Sequence, residues 1–364
     1  MAGGAGSYVM RNAGGAEVEV LARGAAIARW VVPGRQGEPA ADVALGLAGA
    51  DAAARDAAYA SANPAYLGVV VGRVANRISG AAFPLGGREV KVAANVGDNC
   101  LHGGPGGFHQ AVWEMEPLER GKEHVEAAAV RLTLVSPDGD QGFPGRLTCQ
   151  VTYRLARATH RLFVDFKAFV EGSASPVNLA QHTYFNLGGH ASGDVRGHVT
   201  TLYADAYTPL NEDLIPTGEV RPVEGTALDF REGRALGERL EEVGGDPKGY
   251  DFNYVPYTEG HDDFIRAPGL QSDSMRLVAD VHHPPSGRAM MLFTDAPGVQ
   301  LYTGNFLDGS FEGKEGCRYG QYAGFCLETQ GFPNAVNVPA FPSIILEPGD
   351  VYVHHMAYDM YVKS

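Results

Sequence analysis

The chain has 364 residues, 45% of them hydrophobic and 20% charged, which gives enough apolar material for a substantial core and argues against wholesale disorder. Its formal net charge is −14, and no run of Lys or Arg is long enough to track a phosphate backbone, so nucleic acid is not an expected partner. No stretch approaches the ~20 apolar residues that span a bilayer, and the N-terminus MAGGAGSYVMRNAGGAEVEV lacks a basic region followed by an apolar one, so neither membrane insertion nor secretion is signalled.

Taken in chain order, the expected elements are mostly strands. VEVLARG opens the series, and DAAARDAAYA near residue 51 reads as a helix. AVRLTLVS follows, then RLTCQVTYRL, in which Leu147, Cys149, Val151, Tyr153 and Leu155 share one face and Thr148, Gln150, Thr152 and Arg154 the other. HRLFVDFKAFV, with Leu162, Val164, Phe166 and Ala168 in register, is expected to pair with it as a hairpin or meander. DFREGRALGERLEEV near 229 reads as a second helix, capped by Asp229, with Leu236, Leu240 and Val243 on one face. MRLVADVHH, RAMMLFT, VQLYTGN and VYVHHMAYDMYV complete the strands. The 48 Gly and 22 Pro punctuate these runs at the spacing of stacked antiparallel sheets. The expected architecture is all-β, a large antiparallel β-sandwich with few short helices, in one domain spanning residues 1–364.

Cys100, Cys149, Cys317 and Cys326 are scattered and form no C-x-x-C pair, so they read as reduced, buried thiols of a cytoplasmic protein. Nothing in the sequence specifies an oligomeric state.

Polar clusters interrupt the alternation at GRVANRISG, NCLHGG, QHTYFNL and LETQGFPN, places where loops at sheet ends carry function. Each member has an ordinary structural reading: Arg77 as a surface ion pair, His102 as a turn residue, His182 as a hydrogen-bonded core histidine. Within FCLETQGFPNAVN, Glu328 is either on the solvent face of an edge strand or a desolvated acid held for proton chemistry. The adjacent pairs His282–His283 and His354–His355 point to opposite faces of a strand, and no H-E-x-x-H or Cys/His spacing supports zinc, so no metal is expected. GGPGG at 103–107 lacks the context of a phosphate loop. His, Glu, Asp, Arg and Asn together with abundant Tyr and Phe suit a neutral polyhydroxy ligand, with polar groups on its hydroxyls and aromatics on its apolar ring face.

The blocks GVVVGRVANRISGAAFPL, NVGDNCLHGG, SPDGDQGFPG, PVNLAQHTYFNL, DAYTPLNEDLIPTGEV, GYDFNYV, GVQLYTGNFL and LETQGFPNAVN resemble the aldose 1-epimerase (galactose mutarotase) family, collinearly from about residue 10 to 360. The resemblance implies the galactose mutarotase-type sandwich and interconversion of the α and β anomers of free hexoses such as galactose and glucose, without a cofactor. It implies His182 as general acid and Glu328 as general base; the two are expected on opposite sides of a bound pyranose, each in a loop or at a strand end. Asn76, Arg77, His102, Tyr184, Asp251 and Gln300 are implied to bind the monosaccharide. Two positions depart from the family pattern and bear on substrate preference: Gln181, where Asn is frequent, and Phe252, where His is frequent. The rival reading is a sugar-binding protein that has lost catalysis, against which stands the retention of both His182 and Glu328.

Overall fold

A computed structural model of the chain describes residues 6–61, 63–118, 126–257 and 274–363. Its largest sheet runs, in spatial order, through Glu114–Leu118, Glu126–Ser136, Arg146–Ala156, His160–Glu171, Tyr352–Val362, Arg288–Thr294, Arg276–His282, Val199–Leu202 and Arg234–Ala235. The expected hairpin is there: Arg146–Ala156 pairs antiparallel with His160–Glu171, Val151 opposite Phe166 and Tyr153 opposite Val164. The alternation is real burial, since Leu147, Cys149, Val151, Tyr153 and Leu155 are all inaccessible to solvent.

A six-stranded sheet lies across this one, in the order Tyr184–Phe185, Phe325–Gln330, Gly298–Tyr302, Asp251–Pro256, Ala204–Tyr207 and Arg221–Pro222. Phe325, Leu327, Val299 and Leu301 share one continuous core with Val151, Tyr153, Met356 and Tyr358 of the larger sheet. Because side chains alternate along a strand, Cys326, Glu328 and Gln330 must then face away from that core. A four-stranded sheet of Ser7–Arg11, Glu17–Leu21, Ile27–Val32 and Ala41–Asp42 adds to the sandwich, Trp30 packing edge-on against Phe185 and Tyr358.

The first expected helix forms at Ala52–Ser61, capped by Asp51, whose Oδ1 accepts the Ala54 N–H at 2.8 Å. The second does not. Residues 229–243 are turns, the short Arg234–Ala235 strand and a single 3-10 turn at Leu240–Glu242. Asp229 spends its carboxylate on Arg231, accepting from the backbone N–H and from Nε, and Gly233 adopts a left-handed φ of 69°. Arg234–Ala235 is claimed instead by Val199–Leu202 as a partner strand, while Leu236, Leu240 and Val243 still bury themselves in the core. All four cysteines are free, three buried and Cys317 only partly so.

Candidate active site

A cavity of about 850 Å³, within the ~300–1,000 Å³ usual for small-molecule sites, opens on the outward face of the six-stranded sheet. Register explains its floor. Glu328 stands opposite Gln300 and Gln300 opposite Asn253, while two residues along the same face Tyr184, Cys326, Tyr302 and Asp251 form the adjacent row. Glu328 is therefore an interior residue of its strand rather than a loop or strand-end residue, and it is 2% exposed. His182 follows Ala180–Gln181 directly, at a strand end as expected. Arg77–Ile78 pairs with Cys100–Leu101, so Asn76 and His102 meet at the ends of the two short strands. Gly103 makes that meeting possible: with φ of 84°, its position would put any Cβ 2.0 Å from the Gly72 carbonyl oxygen.

His182 Nε2 and Glu328 Oε1 are 3.7 Å apart, and Glu328 Oε2 is buried with no partner. This spacing leaves no room for a sugar ring between the two groups, so they approach side by side rather than from opposite sides as anticipated. Asp251 Oδ2 lies 3.9 Å from Arg77 Nη1, and Asp251 Oδ1 accepts from Gln300 Nε2 at 2.7 Å. His182 sits between the rings of His102 at 5.2 Å and Tyr184 at 5.1 Å.

Burial dominates the electrostatics. It raises the Glu328 carboxyl well above the ordinary value, helped by the Asp251 charge and opposed by Arg77. It lowers His182 to about 4 and carries His102 well below the usual imidazole range. Asp251 is also raised by burial, against the pull of Arg77 and Gln300. At neutral pH both histidines are thus neutral, and the His182–Glu328 pair favours a proton on the carboxyl over a separated ion pair.

One ring nitrogen from each of His102 and His182 and one carboxylate oxygen of Glu328 lie within 4.8 Å of one another, a grouping that resembles a metal site. The tautomer of His102 argues against it. Its Nδ1 accepts the Asn76 backbone N–H at 3.1 Å, so Nε2 carries the proton and is a donor toward the cavity. Metal-binding histidines usually do the reverse, donating from the nitrogen that does not bind.

Asn76, Arg77, His102, His182, Tyr184, Asp251 and Glu328 all line the cavity. Gln300 does not; it is buried behind Asp251. Neither departure from the family pattern touches the wall: Gln181 donates to the Gly68 carbonyl and the Tyr153 hydroxyl, and Phe252 packs edge-on against Tyr207. Tyr66 was not anticipated. It lines the cavity, holds a left-handed φ of 59°, and packs its ring on His102, His109 and His182. The sequence signal was its place two residues ahead of the GVVVGRVANRISG block. Phe306 at the rim was also missed, a large aromatic left 54% exposed.

The chain is similar to known proteins along nearly its whole length. The family model described as aldose 1-epimerase matches residues 6–359. Galactose mutarotases of Sus scrofa and Homo sapiens are each 42% identical over 337 residues, 93% of this chain and 89% of theirs. An aldose 1-epimerase of Escherichia coli is 33% identical over 314 residues, covering 83% of this chain and 84% of its own. Among solved structures, an aldose epimerase homologue from C. elegans superposes with a TM-score of 0.82 at 26% identity, over 99% of this chain and 100% of that one. A galactose 1-epimerase from Lactobacillus acidophilus gives 0.78 at 25%, over 98% and 94%. With a match that runs almost end to end and relatives well above 30% identity, the chain belongs to the aldose 1-epimerase family.

Proposed function

We propose that the chain interconverts the α and β anomers of free hexoses, galactose and glucose among them, with Glu328 as base and His182 as acid. The anomer chemistry follows from the family; the observation that carries the residue roles is the 3.7 Å approach of His182 Nε2 to Glu328 Oε1 on the cavity floor. Opening a pyranose requires a proton to leave the C1 hydroxyl and another to reach the ring oxygen. Both oxygens are bonded to the same carbon, so an acid and a base that share one proton must converge on neighbouring atoms, as these two do.

In the opening step Glu328 takes the hydroxyl proton and His182 delivers its proton to the ring oxygen. Rotation about C1–C2 presents the other face of the aldehyde, and the two transfers then run backwards. Opening turns a separated ion pair into a neutral pair, which is the distribution burial favours. Because the resting pair is already neutral, its one proton must first move from Glu328 to His182 against the effect of burial, and opening then returns the pair to its resting distribution. Arg77, 3.9 Å from Asp251, and the His102 Nε2–H supply positive charge and a donor for oxygens that become negative. Asn76, Tyr184 and Asp251 are placed to hold the remaining hydroxyls, with Gln300 acting through Asp251.

The largest hydrophobic cluster, which includes residues from Met10 to Met360, supports reading the chain as a single domain, and the four free cysteines support a cytoplasmic home. Polarimetry on freshly dissolved α-D-galactose and α-D-glucose tests the activity: optical rotation should decay faster than in buffer alone. Decay at the buffer rate with both sugars would leave a sugar binder in place of an enzyme.

A further inference from the structure

Behind Asp251 the six-stranded sheet carries a chain of buried amides that reaches no cavity surface. Gln300 Nε2 donates to Asp251 Oδ1 at 2.7 Å, and Gln330 Nε2 donates to Gln300 Oε1 at 3.2 Å and to Asn253 Oδ1 at 3.4 Å. Gln330 and Asn253 are fully buried, and Gln300 nearly so. A side-chain amide has a donor side and an acceptor side, whereas an ionised carboxylate only accepts. Asp251 therefore forces Gln300 to turn its NH2 outward, which leaves the Gln300 carbonyl pointing inward in need of a donor. Gln330 provides it. Direction passes from the cavity into the sheet, and the last amide completes the series.

An apolar side chain of similar volume at 330 would leave the Gln300 and Asn253 carbonyls without the donor they now share, although glutamine itself leaves Gln330 Oε1 and Asn253 Nδ2 buried without a partner. The backbone accommodates this junction through Gly298, where a Cβ would lie 2.3 Å from Asn253 Oδ1.

We propose that Gln330 is a positioning residue: it holds the Gln300 amide in one orientation and so fixes the Asp251 carboxylate between Gln300 and Arg77. This rests on the sugar-binding role proposed for Asp251. Without the Gln330 donor the Gln300 carbonyl is left buried and unpaired, the side chain is free to leave the position in which its NH2 reaches Asp251, and the carboxylate loses its fixed geometry toward the substrate.

The test is a cycle of Gln330→Met, Gln300→Met and the double variant, with Asp251→Asn alongside, each melted thermally and assayed by polarimetry for KM and kcat separately. Gln330→Met should raise the KM for galactose about tenfold, the size of one good buried hydrogen bond, with kcat changed far less. In the Gln300→Met background the same substitution should change KM little, because its only route to the sugar is already gone. Penalties that multiply in the double variant, or a wild-type KM in Gln330→Met while Asp251→Asn is impaired, would overturn the relay alone. A wild-type KM in Asp251→Asn would overturn the binding role of Asp251 and this inference with it. If Gln330→Met melts early, Gln330→Leu is carried through the same cycle.

Discussion

At Glu328 three influences meet: burial, the Asp251 carboxylate, and the opposing Arg77 guanidinium, with burial the largest. Glu328→Gln keeps the shape of the side chain and removes its ability to take a proton. Turnover should fall by roughly 10² to 10⁴, the usual contribution of one general acid or base. Thermal melting should show no loss of stability, since the substitution removes a buried carboxylate whose Oε2 has no partner. A variant that keeps the wild-type rate after subtraction of the buffer rate would assign the base to another residue. The pH profile follows from the same directions. As pH falls through the region near 4, His182 gains a proton while Glu328 already holds one, so no base remains and the rate drops. As pH rises past the elevated value of Glu328, the pair loses its only proton and no acid remains. The rate should be bell-shaped with a plateau between these limbs, whose midpoints belong to the pair rather than to either residue. A rate that keeps rising on the acid side below pH 4 would show that His182 is not part of the pair.

The Phe325–Gln330 strand shows how far an element was legible from its sequence. Strands such as Arg146–Ala156 announce themselves because one face is buried and the other is not, so apolar residues alternate. Phe325–Gln330 is buried on both faces, with core on one side and the cavity floor on the other, so alternation is weak and a lone carboxylate reads equally as surface or site. Its role came only from the family blocks around it. The place of Gln300 was hidden for a different reason: whether a residue lines a cavity or backs it depends on strand register and on neighbours such as Asp251, which are far away in sequence. The helix expected over 229–243 failed because apolar spacing survives in a turn-rich segment when Gly233 takes a left-handed φ and another strand claims Arg234–Ala235. Gly298 gives this scale its own prediction. Gly298→Ala should push the Asn253 side chain into Gln330, costing about 1–3 kcal/mol as an overpacked site and disturbing the amides beneath Asp251. Melting and polarimetry together check it: stability and KM should both worsen, and an Ala variant with wild-type values in both would show that the junction relaxes freely.

The molecule as a whole is acidic, with a formal net charge of −14, and the cavity concentrates that imbalance. Among the described residues lining it, Asp98, Glu212, Asp213, Asp251, Asp308 and Glu328 are carboxylic and Arg77 is the only Lys or Arg. Arg77 lies on the floor, 3.9 Å from Asp251 and assigned to the reacting oxygens, while Asp98, Glu212, Asp213 and Asp308 stand exposed at the rim. A phosphate monoester brings roughly −1.5 to −2 charges at neutral pH. Whichever way C6 of a hexose points, that charge meets carboxylates with no free guanidinium or ammonium on the wall to receive it. The repulsion acts through water at the rim, so salt should screen it, with a Debye length of about 30 Å at 0.01 M and about 8 Å at 0.15 M. Glucose 6-phosphate should therefore be a poorer substrate than glucose, with kcat/KM at least about tenfold lower in 0.01 M buffer, and the gap should narrow as salt is added. A steric cause would give a gap that salt leaves unchanged. Glucosamine, cationic at neutral pH, should show the opposite salt dependence, with kcat/KM falling as salt rises. Polarimetry of the three sugars at the two ionic strengths, corrected for spontaneous mutarotation, separates these outcomes, and equal kcat/KM for glucose and glucose 6-phosphate at low salt would show that the rim charges do not select the substrate.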